Sequence, residues 1–140
     1  PPTSLQTFAQ VRRLMGHWEI MLECRWNEKL PLERIGMDTV VILWQCDGES
    51  HVVTVSPLGI AEASAATAYV TQHDHAWLCR VVLPDAWICD SPSLALRRIH
   101  GDTGSIDAWP TPGTPWEQVS DPVRLDLAPW DGQDAVAASP

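Results

Sequence analysis

Two histidines and a cysteine form the pattern in this sequence that is most typical of metal binding. His73 and His75 enclose Asp74, and Cys79 follows in the next apolar run. Every second residue of an extended strand points to the same side, so two imidazoles and a thiolate could converge on one zinc ion. His73, His75 and Cys79 are therefore the candidate ligands. The alternative, which we favour, is that this segment is the polar turn of a hairpin, and we expect no cofactor.

Nucleophilic catalysis by a cysteine is the second chemistry to consider. Cys79 would need a histidine such as His51 or His100 as its base. The sequence has no protease signature around a cysteine, no nucleophile elbow, no phosphate loop and no dinucleotide fingerprint. Glu19 and Glu23 share one face of a strand-like run, as solvated residues commonly do. We therefore expect a non-enzyme, with a metal- or thiol-dependent enzyme as an alternative.

Tryptophan is the most unusual feature of the composition, with eight residues against one Phe and one Tyr. Five of them lie in apolar runs and are interpreted as core: Trp18, Trp26, Trp44, Trp77 and Trp87. The other three lie among prolines near the end of the sequence. Because Trp is enriched in binding hot spots and polyproline segments lose little entropy on docking, we predict a partner-binding segment there. Its residues are Trp109, Pro112, Pro115, Trp116 and Trp130. The alternative is that these tryptophans fold back over a sheet.

The charge balance excludes two classes of partner. The formal net charge is -9, and residues 101–140 hold seven acids and one base. Such a chain is repelled by nucleic-acid phosphates and by anionic membranes. No apolar run approaches the roughly 18 residues of a membrane helix. We therefore expect a protein partner or a second copy of the chain, with a small apolar ligand as an alternative.

The elements that must position these residues are mostly strands. Apolar residues at helical spacing over residues 3–16, ending at Gly16, predict a short N-terminal helix. The period then changes to two, which is typical of half-buried strands, and Asp47-Gly48 is a typical hairpin turn. The predicted strands are His17–Trp26, Thr39–Cys46, His51–Ser56, Trp77–Leu83, Leu94–His100 and Val123–Leu127.

The predicted fold is mainly antiparallel β with one N-terminal helix. Hairpins dominate and no βαβ alternation occurs, so a meander that forms a curled sheet or a small barrel fits best. An α+β roll with the helix on one face is the alternative. The length of 140 residues suits one domain over residues 1–130, which includes the Pro/Trp-rich segment from about residue 108. Residues 131–140 are predicted to be a flexible tail.

The entry to the first predicted strand is similar to that of a known family. Gly16-His17-Trp18, after a short helix, resembles the G-x-W motif of lipocalin-type barrels. In that family the Trp packs at the closed end of the barrel against an arginine from a late strand, and Arg97 or Arg98 is similar in placement. The resemblance covers three residues and the order of elements. It implies a barrel that holds a small apolar ligand.

The four cysteines include no CxxC pair, and each lies in an apolar run. We interpret them as reduced core residues, with disulfides as the alternative. Residues with GC-rich codons (Gly, Ala, Arg and Pro) far outnumber those with AT-rich codons, which predicts a GC-rich source genome, bacterial or phage. We expect a cytoplasmic location, with the periplasm or secretion as alternatives. The functional prediction is a non-enzymatic protein-binding or adaptor module that associates with itself, with a lipocalin-like ligand-binding barrel as the first alternative.

Overall fold

The computed structural model describes residues 6–60, 64–110, 116–119 and 122–130. Within these ranges the chain forms eleven strands and two short 3-10 turns, at Ile35–Met37 and Asp85–Trp87. The strands are β1 (Thr7–Leu14), β2 (His17–Arg25), β3 (Thr39–Cys46), β4 (Glu49–Ser56), β5 (Gly59–Ile60), β6 (Thr67–Gln72), β7 (Ala76–Val82), β8 (Ser93–Ile99), β9 (Ile106–Trp109), β10 (Glu117–Gln118) and β11 (Val123–Trp130). None of the described residues belongs to a helix long and apolar enough to cross a membrane.

The strands form a nearly closed antiparallel barrel. Their order in the sheet is β5-β4-β3-β8-β9-β11-β1-β2-β7-β6, and β10 pairs with β8 beside the end of β9. The two ends of this path approach each other, since Gln72 Nε2 donates a hydrogen bond to the Pro57 carbonyl at 3.0 Å. The order is not that of a simple meander, because β1 pairs with β11 and β2 pairs with β7. The prediction of a mainly β, antiparallel fold is confirmed.

The predicted N-terminal helix is wrong over the described residues, which form β1. Thr7, Ala9 and Val11 are buried and alternate with more exposed residues, as in a strand with one face on the core. Met15 and Gly16 both have positive φ, 52° and 84°, and form the two-residue turn of the β1–β2 hairpin. A positive φ at glycine serves a helix C-terminus and a hairpin turn equally well, so Gly16 did not discriminate between them.

The second two-residue turn was predictable from its sequence. Asp47 and Gly48 have φ of 52° and 80°, and Cys46 pairs with Glu49 across them. Aspartate followed by glycine is a favoured pair for this turn because both central residues need positive φ. The predicted hairpin of β3 and β4 is therefore confirmed.

Tryptophans fill much of the barrel interior. Trp18, Trp26, Trp44 and Trp77 are all at most 2% exposed, as expected for core residues. Trp18 and Trp44 meet edge to face, with ring centroids 5.6 Å apart, which is a favourable geometry for two aromatic rings. Trp87 differs from the prediction because it lies in a 3-10 turn and is only half-buried.

A buried ion pair closes one end of the barrel. The fully buried guanidinium of Arg98, on β8, donates to both carboxylate oxygens of Asp38 at 3.0 and 2.8 Å. It also donates to Thr7 Oγ1 at 3.1 Å and to the Arg25 carbonyl at 2.7 Å. Burial acts to lower the pKa of Arg98, but the hydrogen bond to Asp38 and nearby negative charge outweigh it and raise the pKa above its ordinary value.

The same network continues to the neighbouring strand. Thr7 Oγ1 donates to Asp107 Oδ2 at 2.8 Å, and His100 Nε2 lies 2.7 Å from that oxygen. Asp107 and His100 are both buried, so each satisfies the polar atoms of the other. Gly101 packs so closely here that a Cβ would lie 2.7 Å from the Asp38 amide nitrogen, and this position therefore requires glycine.

We predict that Asp38→Ala lowers the free energy of unfolding by about 3–5 kcal/mol, because it leaves the Arg98 charge buried without its partner. Asp126→Ala is the control, since Asp126 pairs with Arg124 on the surface and both side chains are about two-thirds exposed. Asp126→Ala should lower the free energy of unfolding by less than about 1 kcal/mol. Urea denaturation of both variants measures the difference. Equal losses would show that the buried pair does not hold this end of the barrel together.

Candidate functional site

The structure does not bring the candidate metal ligands together. Residues 73–75 form the turn between β6 and β7, where the His73 amide donates to the Ala76 carbonyl at 2.8 Å. His73 and His75 are exposed on this turn, whereas Cys79 is buried on β7. In the part of the chain that the structure describes, no three His, Cys, Asp or Glu side chains are grouped to hold a metal ion. The arrangement is that of a polar hairpin turn.

The buried thiols lack the properties of a nucleophile. Burial raises the pKa of the Cys79 thiol to about 12. Burial also raises the pKa of Cys24, and this effect outweighs the nearby Arg98, which acts to lower it. Because the thiolate is the reactive form, both residues are inert at neutral pH. The proposed bases are engaged elsewhere: His100 contacts Asp107, and His51 stacks on Trp87 with ring centroids 4.2 Å apart.

The raised pKa of Cys79 makes stability depend on alkaline pH. The folded state holds the thiol proton more tightly than the unfolded chain, whose thiol ionises near pH 9. The contribution of this thiol to the free energy of unfolding is therefore complete below pH 9 and is lost as the pH rises towards 12. We predict that Cys79→Ala makes the fall in unfolding free energy between pH 9.5 and 10.5 shallower by about 1.4 kcal/mol per pH unit. Urea titrations at these pH values measure it, and an unchanged slope contradicts the assignment.

Two of the five residues of the predicted partner-binding segment lie in strands of the sheet. Trp109 is on β9, Trp130 ends β11, and Trp116 precedes β10; all three are half-buried. Trp109 packs against the core, and the Trp130 indole nitrogen is buried with no hydrogen-bond partner among the described residues. Pro112 and Pro115 lie outside the described residues. A docking role for this segment remains a prediction.

Trp109→Ala tests whether this residue is structural. Because Trp109 is half-buried against the core, we predict that the substitution lowers the free energy of unfolding by about 2 kcal/mol. This is roughly half the cost of truncating a fully buried Trp. Leu32→Ala is the control, since Leu32 is 82% exposed and should cost less than about 0.5 kcal/mol. Thermal and urea unfolding give both values. An unchanged midpoint for Trp109→Ala would favour the docking role instead.

The expected lipocalin-like contact of a late arginine with Trp18 is wrong. The cation over the Trp18 ring is Arg13, with its Cζ 5.5 Å from the ring centroid. Arg98 lies at the other end of the barrel, where it bonds to the Arg25 carbonyl, and the whole of β2 separates Arg25 from Trp18. Arg97 is half-buried on the opposite side of β8 from Arg98. The likeness to the family is therefore limited to the local G-x-W sequence.

A concave outer surface is the feature of the molecule best suited to binding. It is built by the outward-facing residues of β11, β1, β2, β7 and β6, which the strand registers place in rows. We call it the outer face. Its first row is Arg124, Gln10, Met21, Arg80 and Tyr69; its second is Asp126, Phe8, Glu23, Leu78 and Thr71. A third row, Arg12, Glu19, Val82 and Thr67, and the adjacent Arg25 complete it.

An open concavity of about 500 Å³ lies over the first two rows. Phe8, Met21, Tyr69 and Leu78 contribute its apolar surface. Tyr69 is 55% exposed and Leu78 is 39% exposed, and they lie on neighbouring strands. Exposed apolar side chains scattered singly are ordinary, but a contiguous set inside a concavity is typical of an interaction site.

Arginines surround the aromatic rings of the outer face. The Cζ atoms of Arg25 and Arg124 lie 5.0 and 4.6 Å from the Phe8 ring centroid. Arg80 lies 4.7 Å from the Tyr69 ring centroid. These distances are within the range of cation–π attraction, which holds the guanidinium planes beside the rings.

Carboxylates neutralise most of this positive charge. Glu19 is almost fully buried between Arg12 at 3.2 Å and Arg80 at 2.9 Å. Arg25 pairs with Glu23 at 2.6 Å, and Arg124 pairs with Asp126 at 3.2 Å. Four arginines and three carboxylates give the outer face a charge of +1, whereas the whole chain carries -9.

Reasoning from the sequence missed the outer face because it depends on pairings between distant strands. Phe8 was assigned to a helix, and Met21 was one outward residue of an isolated strand. The available signal was the alternation of β2, which already placed Glu19 and Glu23 on its outer side. Which residues of β1 and β7 lie beside Glu19 and Glu23 becomes known only from the register of the strand pairing.

Comparison of the chain with known protein families, curated proteins and solved structures finds no match. The site is therefore interpreted from its own geometry.

Proposed function

We propose that this protein is a non-enzymatic binding module that associates with itself through the outer face. The observation that carries this proposal is the concavity of about 500 Å³, whose apolar surface is surrounded by arginines. Aromatic residues, Met and Arg are the residue types enriched at the centres of protein interfaces. Phe8, Tyr69, Met21 and Arg80 meet that description on one surface.

The dimensions of the outer face suit a protein partner. Five strands spaced about 4.8 Å apart, and about six residues along each strand, give a surface of roughly 24 Å by 20 Å. Its projected area of about 480 Å² is smaller than, but of the same order as, the area of about 800 Å² that one partner contributes to a standard interface. A small ligand would leave most of such a surface uncovered.

Electrostatics support a second copy of the chain as the partner. Two molecules with a charge of -9 repel each other over most of their surfaces. The outer face carries only +1, so two such faces can approach with little repulsion. Arginines alternate with carboxylates along it, and a two-fold rotation can place arginines of one copy against carboxylates of the other.

The disulfide between Cys46 and Cys89 bears on the compartment. Disulfides persist in oxidising surroundings and are rare in the cytosol. We therefore propose that the protein functions in an oxidising compartment, in place of the cytoplasmic location expected from the sequence.

Sedimentation velocity between 1 and 100 µM tests self-association. We predict a concentration-dependent dimer that Leu78→Glu weakens at least tenfold, because the new carboxylate lies in the apolar part of the concavity beside Glu23. Val52→Glu is the matched control: Val52 also points outwards and is 58% exposed, but it lies on β4, away from the outer face. Both variants should melt close to the parent.

Raising the salt concentration should strengthen the dimer, because it screens the repulsion between two acidic molecules. The proposal fails if the parent protein sediments as a monomer at 100 µM. It also fails if Leu78→Glu and Val52→Glu weaken association equally, since the contact would then lie elsewhere.

A further inference from the structure

A loop at the second end of the barrel is joined to the end of β3 by a disulfide. We call residues 83–92, which connect β7 to β8, the strap. Cys89 of the strap is bonded to Cys46 at the end of β3. The strap thus lies at the opposite end of the barrel from the Arg98–Asp38 pair, which contacts the start of β3.

Non-covalent contacts supplement the disulfide, and one of them joins His17 Nδ1 to the Asp85 carboxylate at 3.0 Å. The Trp44 indole nitrogen donates to the Trp87 carbonyl at 3.0 Å, and the Trp87 ring stacks on His51 at 4.2 Å between centroids. The backbone of Trp87 bonds within the strap, to the Pro84 carbonyl at 3.0 Å. The ladder of β7 ends at Val82 and that of β8 begins at Ser93, so movement of the central part of the strap leaves both ladders intact.

Large interior side chains lie next to the strap. Trp44 is fully buried and bonded to it, and Trp18 packs edge to face on Trp44. The Trp18 indole nitrogen is buried and has no hydrogen-bond partner within the described ranges. Displacing the strap would therefore expose apolar rings and an unpaired donor of the barrel interior.

The two cysteines of the disulfide differ in exposure. Cys46 is buried, whereas Cys89 is half-buried in the strap. A thiolate from solution therefore reaches the Cys89 sulfur more readily. Cys24 and Cys79 are both buried in the core, so they do not compete for such a reagent in the native state.

We propose that the strap is a redox-controlled closure of this barrel end, shut by the Cys46–Cys89 disulfide and released by a dithiol reductant. A thiolate of the reductant attacks the Cys89 sulfur, and Cys46 leaves as a thiolate that takes up a proton. The second thiolate of the reductant then attacks the sulfur bound to Cys89, and Cys89 leaves and is protonated. Two electrons pass to the protein, and the reductant becomes a disulfide.

Hydrogen exchange of the full chain, with and without dithiothreitol, tests the proposal. We expect reduction to raise the exchange rate of the hydrogen-bonded Trp87 and Ile88 amides at least tenfold while β1, β2 and β7 keep their protection. Alkylation after reduction under native conditions should modify Cys46 and Cys89 and leave Cys24 and Cys79 unmodified. The double variant Cys46→Ser with Cys89→Ser should show the released strap without reductant and should not respond to it.

Two results would overturn the proposal. Unchanged exchange of the Trp87 and Ile88 amides after complete reduction would mean that the other contacts hold the strap. An equal rise in exchange throughout the sheet would mean that the disulfide stabilises the whole barrel and not this closure. Reduction of the parent protein gives either result even if the double variant does not fold.

Discussion

The buried pair of Arg98 and Asp38 is the interaction on which the nearly closed barrel depends. Removing two charges from water is costly, and the arrangement is stable only when nearly every donor and acceptor finds a partner. Those partners come from separate strands: Thr7 from β1, the carbonyl of Arg25 from β2 and, through Thr7, Asp107 from β9. The network therefore requires all of these strands to meet at one end of the barrel in one register.

That register also creates the outer face. Side chains alternate across a strand, so a slip of one residue would turn every outward side chain of β1 or β2 inwards. Thr7 is fixed in the network, and Phe8 must then point outwards. The Met15-Gly16 turn fixes the pairing of β2, which sets Glu23 opposite Phe8 and Met21 opposite Gln10. The core and the outer face thus depend on the same register.

Local features of the sequence predicted those turns and strands whose conformation depends on residues close together in the chain. The alternation in β2 was sufficient to predict that strand and its buried side. The Asp47-Gly48 turn was sufficient to predict the hairpin of β3 and β4. The alternation in β1 was hidden because Phe8 and Val11 also fit a helical spacing, and the small Ala9 belongs to either pattern. The pairing of Arg98 with Asp38, 60 residues apart, and that of β1 with β11 across most of the chain leave no local trace.

The two ends of the barrel differ in how they can open. Opening the Arg98 end would separate a buried ion pair and expose or orphan several polar groups, whereas the strap end is held by one disulfide, the solvent-exposed contact of His17 with Asp85, and neutral contacts. Access to the interior therefore favours the strap end. The outer face lies on the side of the sheet and needs neither end to open. Binding there is compatible with an intact core, which is why the surface, and not the packed interior, is the stronger candidate for function.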